Sequence, residues 1–197
     1  MQREYDKQLL NAAQDGDRRE VEWLLQAGAH IEATNRYRWT PLYRASCKGH
    51  REIVSLLLEK HADIEAIDKD GWTSLHIAAY HGHAGVIDLL IKKHANIEAV
   101  ENAGWRPLHM AVSNGHVGIA AILIEKRAKI EFADTLFGNT SLHIASFKGH
   151  QEVAALLIEK HADVNALNKD GGTPFTFARD KGHYTLVAML IKAGAKK

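Results

Sequence analysis

Three histidines, His76, His81 and His83, fall within eight residues of one stretch that runs from Asp70 to His83. Imidazoles at that density suit zinc or another transition metal, and a neutral imidazole also serves as a general base near neutral pH. Cys47 adds a thiol close in the chain to His50. No phosphate-cradling glycine loop, nucleophile elbow or His-Glu-x-x-His pair accompanies them, so no recognisable reaction centre backs these groups. Whether they form a site depends on the elements that carry them.

Composition narrows those elements. The 197 residues hold 46% apolar and 25% charged side chains, with 25 Lys and Arg against 24 Asp and Glu. These values exclude a disordered chain. The net charge of +1 excludes a global field for nucleic acid or anionic membrane, leaving only local patches. A single cysteine allows no intrachain disulfide, which fits a reducing compartment. The charged start lacks the apolar core of a secretory signal. No apolar run reaches the roughly 18 residues of a membrane span. The expected location is intracellular, cytoplasmic or nuclear with a partner, and a secreted effector fits the same composition.

The histidine stretch returns along the chain. Its leucine position recurs at Leu42, Leu75, Leu108, Leu142 and Phe175, at spacings of 33, 33, 34 and 33 residues. A degenerate copy around Leu9 stands 33 residues before the first full one. Six repeats therefore span 1–39, 40–72, 73–105, 106–139, 140–172 and 173–197, the first and last as caps of a single domain. Each reads as helix, tight turn, second helix and extended finger. Thr40, Thr73, Thr140 and Thr173 stand at N-cap positions. Pro41, Pro107 and Pro174 follow at N1. Gly16, Gly49, Gly82, Gly115, Gly149 and Gly182 end the first helices. Apolar stripes such as Ile53, Val54, Leu56, Leu57 and Leu58, or Val153, Ala154, Leu156, Leu157 and Ile158, mark the second helices. Ala78, Ala79 and Ala145 on first helices allow close packing, and stacking buries what one helix pair leaves open.

Thr73-Ser-Leu-His-Ile-Ala, Thr140-Ser-Leu-His-Ile-Ala and His161-Ala-Asp-Val-Asn-Ala resemble the signatures of the ankyrin-repeat family, whose period is also 33 residues. The resemblance implies an all-α solenoid of six stacked helix-turn-helix repeats with β-hairpin fingers. It also implies a non-catalytic module (adaptor, scaffold, inhibitor or effector) that binds another protein through finger tips and first helices. No cofactor or metal is expected, and the chain alone is expected to be monomeric.

Eleven of the thirteen histidines occupy repeat addresses. His76, His109 and His143 hold the signature position, which in the family resembles a structural hydrogen-bonding group. His50, His83, His116, His150 and His183 follow the turn glycine, and His61, His94 and His161 follow the second helix. Residues at one address lie a whole repeat apart, too far to share a metal. Buried signature imidazoles are expected to be neutral, with pKa values lowered by desolvation.

Function is expected where the repeats differ. Before each signature these positions hold Arg36, Tyr37 and Trp39, then Lys69, Asp70 and Trp72, then Asn102 and Trp105, then Leu136, Phe137 and Asn139. Before the turn glycines they hold Lys48, Tyr80 with His81, Asn114, and Phe147 with Lys148. Trp39, Trp72 and Trp105 share one address and are expected to form a ladder of binding anchors. One extra residue in 134–139 lengthens a finger and offers Leu136 and Phe137 as contacts.

Residues 34–51 carry five basic side chains and no acid, whereas residues 1–33 carry four basic and seven acidic ones. This segment is expected to select an acidic stretch of a protein partner. The alternative is nucleic-acid or polyanion binding, with Tyr37 and Trp39 stacking on bases. Several residues depart from the family pattern. Arg38 replaces a finger glycine, and His61, His94, Arg127 and His161 stand where the first and last repeats have Gly28 and Gly194. A left-handed backbone there is strained. Glu32, Glu65, Glu98 and Glu131 replace the family's finger-end asparagine, so the family's asparagine hydroxylation carries over to Asn165 alone. Cys47, at a variable surface position, is expected to be inert.

Overall fold

The computed structural model describes residues 2–196, so Met1 and Lys197, the outer bounds of the expected domain, lie outside it. The chain divides into two compact units, Met1–Asn102 and Ala103–Lys197. The first contains α1 (Gln2–Asp15), α2 (Arg18–Gln26), α3 (Pro41–Lys48), α4 (Arg51–Glu59), α5 (Ser74–His81) and α6 (Ala84–Lys92). The second contains α7 (Pro107–Ser113), α8 (Val117–Glu125), α9 (Ser141–Lys148), α10 (Gln151–Glu159), α11 (Pro174–Asp180) and α12 (Tyr184–Lys192). In the first unit α1, α3 and α5 pack in one row and α2, α4 and α6 in another; in the second, α7, α9 and α11 form one row and α8, α10 and α12 the other.

Local chemistry sets these short helices. The Thr40 hydroxyl accepts the Tyr43 N–H at 3.1 Å, and Pro41 occupies the first turn where no donor is needed. Gly49, Gly82 and Gly149 close their helices in the left-handed region, at φ 77°, 78° and 74°. Between these caps the apolar stripe is buried, but it is narrower than the sequence expectation. Ile53, Val54, Leu56 and Leu57 are buried and Leu58 is half-buried; Val153, Ala154 and Leu157 are buried, with Leu156 and Ile158 half-buried. Ala78, Ala79 and Ala145 are wholly enclosed.

The histidines join successive repeats. Nε2 of His50 faces the Gln14 carbonyl at 2.9 Å, and Nε2 of His83 faces the Cys47 carbonyl at 2.9 Å. His150 and His183 do the same with Ser113 and Phe147 at 3.1 and 3.2 Å. The rings lie over the turn glycines: a Cβ on Gly49 would stand 2.6 Å from His83 Nδ1. That contact, together with the positive φ, requires glycine there. The recurrent Gly-His pair is therefore a joint between neighbouring repeats.

The fingers differ from the expected β-hairpins, since no strand occurs among the described residues. Each finger is a tight turn folded around a carboxylate or amide. Asn35 Oδ1 accepts the N–H groups of Tyr37 and Trp39 at 2.9 and 3.0 Å. Asp68 Oδ1 accepts those of Asp70 and Trp72, both at 2.9 Å, and Asn168 Oδ1 those of Asp170 and Gly172 at 3.1 and 2.7 Å. Neighbouring fingers share single backbone bonds, such as the Lys69 N–H on the Tyr37 carbonyl at 3.2 Å. One such bond is not a strand ladder.

Arg38, His61, His94, Arg127 and His161 adopt φ between 65° and 71°, which confirms the left-handed positions expected from their alignment with glycine. The finger-end glutamates take over the acceptor role of asparagine. Oε1 of Glu32 accepts the Asp63 N–H at 2.8 Å, Glu65 that of Asn96 at 2.7 Å, and Glu131 that of Asp163 at 3.0 Å.

Candidate partner-binding surfaces

The three histidines of the opening stretch have separate roles. His76 is fully buried, with Nδ1 3.2 Å from the Thr73 N–H that donates to it. His83 makes the repeat joint described above. His81 is exposed, with its ring 5.0 Å from that of Tyr80. Among the described residues no group of three or more His, Cys, Asp or Glu side chains is placed to hold a metal ion.

The buried signature imidazoles cap their own helices. Nδ1 of His109 accepts the Arg106 N–H at 3.1 Å, replacing the hydroxyl cap that Arg106 lacks, while Nε2 faces the Phe132 carbonyl at 2.9 Å. His143 accepts the Thr140 N–H at 3.2 Å, and its Nε2–H donates to the Gly172 carbonyl at 3.0 Å. This pairing fits the neutral ring. Burial lowers the His143 pKa, opposed by the Gly172 carbonyl, which favours the imidazolium.

In the first unit, Tyr37, Trp39, Lys69, Asp70 and Trp72 line one hollow of about 170 Å³ together with Tyr43 and Asp68. Trp39 lies between Tyr37 and Tyr43, with ring centroids at 5.2 and 5.5 Å. Its indole N–H donates to Asp68 Oδ2 at 3.3 Å. Burial first, and the Asp68 carboxylate second, push the Tyr43 hydroxyl far above its ordinary pKa. Trp72 continues to Tyr80 at 5.4 Å, and Arg36 rests on the Tyr37 ring at 4.6 Å. The first two tryptophans thus share a hollow, as their common address implied. Tyr43 was legible only as a departure from the signature histidine.

The basic segment 34–51 does not gather into one patch. Arg44 turns back to α1, donating through Nη1 to the Leu10 carbonyl and to Asn11 Oδ1, both at 3.2 Å. Arg38 shares a hollow with Glu32, Asp63 and Glu65. Arg51 lies along α6 near Gly85. Lys48 is exposed at the end of α3. Cys47, expected at the surface, is half-buried, and burial pushes its thiol pKa up.

In the second unit, the lengthened finger folds around Asp134, whose Oδ1 accepts the N–H groups of Phe137 at 2.6 Å and Gly138 at 3.2 Å. The extra residue leaves Leu136 60% and Phe137 56% exposed. They border a groove of about 610 Å³ with Trp105, Asn139, Phe147 and Lys148. Phe147 is 41% exposed; its ring meets Phe177 edge-on at 6.1 Å and carries the Lys181 ammonium at 4.4 Å. Asn139 Oδ1 accepts from Asn168 Nδ2 at 3.0 Å, which orients the groove's polar wall. Sequence reasoning did not assign Phe177, Ile144, Asp134 or Asp170 to this groove. The available signal was Phe177, a ring at the address that Ile144 fills one repeat earlier.

Three expected contact residues have other partners. Asn114 Nδ2 donates to the Met110 carbonyl of its own helix at 2.9 Å, and Asn102 Nδ2 to the Lys69 carbonyl at 3.2 Å. Asn165 accepts the Lys196 N–H at 2.8 Å and donates to the Gly194 carbonyl at 3.2 Å, so both ends of its amide are engaged.

No described helix is long and apolar enough to cross a membrane. A comparison with curated proteins found no match. A family model described as ankyrin repeats (3 copies) matches residues 9–101, 62–134 and 128–197. Members of that family generally bind other proteins and are generally not enzymes. With paired helices, left-handed turn glycines, capping histidines and this match across residues 9–197, the chain belongs to the ankyrin-repeat family.

Proposed function

We propose that the chain is a non-catalytic recognition module, with 1–197 acting as one interaction domain. Its fingers and first helices bind another protein, and the groove of the second unit receives the partner's apolar side chains. The observation that carries this reading is the exposure of Leu136, Phe137 and Phe147 around an open groove of about 610 Å³. Aromatic anchors in such a groove are the usual source of interface affinity, and exposed apolar clusters mark contact sites. Arg36, Lys48, Lys69 and Lys148 offer steering charge for an acidic partner segment. The dispersal of Arg38, Arg44 and Arg51 gives no support to the polyanion alternative.

A photo-crosslinking residue at Phe147, compared with one at the outer-face Tyr184 (76% exposed), tests this reading in cells. The expected result is a discrete protein adduct from position 147, absent from 184 and lost when Phe137→Ser is added to a still-folded chain. The same adducts from both positions, or adducts removed by nuclease, would overturn it.

A further inference from the structure

The hollow of the first unit has a composition unlike that of the apolar groove. Four rings, Tyr37, Trp39, Tyr43 and Trp72, line it with the carboxylates of Asp68 and Asp70. Asp68 is only 5% exposed and remains anionic beneath the rings, held by neutral donors alone: the Asp70 and Trp72 N–H groups and the Trp39 indole. Neither carboxylate is ion-paired among the described residues. Asp70 is exposed at the rim, and Lys69 is the one basic residue of the lining. The local charge is therefore negative, in a chain whose total is +1.

Ring faces attract cations through their quadrupole, and a buried carboxylate behind them adds to that potential. The chain itself seats a cation here, since the Arg36 guanidinium lies 4.6 Å from the Tyr37 centroid. A volume of about 170 Å³ admits one compact headgroup, far more than the ~10–15 Å³ that one water needs. We propose that this hollow binds an alkylammonium group, namely the side-chain ammonium of a lysine, methylated or not, on a partner protein. Rings and acids together favour that ion over a neutral side chain of equal size. The site stands apart from the groove in 103–197, so failure of either reading leaves the other intact.

The test uses the full chain and follows the indole N–H signals of its four tryptophans by NMR. Choline chloride is titrated against its neutral isostere 3,3-dimethylbutan-1-ol, with sodium chloride at matched ionic strength. Gly-Ser host peptides bearing lysine, trimethyllysine or acetyllysine form the second arm. Choline is expected to shift Trp39 and Trp72 while sparing Trp23 and Trp105, with the isostere at least fivefold weaker. Lysine or trimethyllysine peptides should shift the same pair, and acetyllysine should not. Asp70→Asn, an exposed change that leaves the rings in place, should weaken choline at least threefold; Trp72→Leu should abolish the response in a chain whose spectrum remains folded. Equal response to the isostere, response centred on Trp23 or Trp105, or indifference to Asp70→Asn would overturn the site. A choline response without either lysine peptide would overturn the protein side chain as its ligand.

Discussion

Asp68→Ala should destabilise the first unit far more than a finger residue ordinarily would. The carboxylate is 5% exposed and accepts three hydrogen bonds, from the Asp70 N–H and Trp72 N–H at 2.9 Å and from the Trp39 indole at 3.3 Å. A bond to a charged group contributes about 1.5–3 kcal/mol. The Asp70 N–H, on an exposed residue, regains water after truncation; the Trp72 N–H and the Trp39 indole belong to half-buried residues and regain less. Removing the buried charge also relieves its own desolvation. The expected loss is about 3 kcal/mol, a large share of the 5–15 kcal/mol typical of a domain. Asp68→Asn should cost only about 1 kcal/mol. Its amide oxygen keeps both backbone donors, as Asn35 and Asn168 do in their own fingers, and only the indole loses its acceptor. Urea unfolding followed by tryptophan fluorescence and far-UV circular dichroism measures both variants. Two probes are needed because repeat arrays can unfold in parts. An alanine variant within ~1 kcal/mol of the parent, or an asparagine variant as unstable as alanine, would refute the finger chemistry.

Two further outcomes follow from buried groups. His143 has its pKa lowered on folding, chiefly by burial, so the unfolded chain binds the extra proton. Its contribution to stability is therefore full above the unfolded value of about 6.5 and is lost as pH falls below that toward the folded pKa. The melting temperature should drop between pH 7.5 and 5, and an unchanged value would contradict the neutral, capped ring. The Cys47 thiol, with its pKa raised first by burial, should alkylate with iodoacetamide at pH 8 more slowly than a free cysteine. A rate equal to the free amino acid's would show an accessible, activated thiol instead.

The repeat architecture was legible in the chain because its causes are local. Thr40, Pro41 and Gly49 act within one helix, and the 33-residue spacing repeats those signals until chance cannot produce them. The left-handed Arg38, His61, His94, Arg127 and His161 were legible for the same reason, since each aligned with a glycine elsewhere in the chain. Candidate contacts were legible as departures from the shared pattern, and Tyr37, Trp39, Trp72, Leu136, Phe137 and Phe147 do line hollows.

Tertiary structure decided what spacing cannot encode. The His83 ring meets the Cys47 carbonyl 36 residues away, and Asn102 donates to Lys69 33 residues away. Through-space partners of this kind turned an expected contact residue into a finger tie. The five positive charges of 34–51, contiguous in sequence, point to different neighbours because finger, first helix and second helix face different ways. Asp68 reads in sequence as one more finger acid; only packing buried it beneath four rings. The sequence by itself determined the helix–turn–helix–finger repeat and where it varies, because capping and helical periodicity act over a few residues. Which variable side chains share a surface, and with what charge, rested on distances between repeats, which only the folded chain supplies.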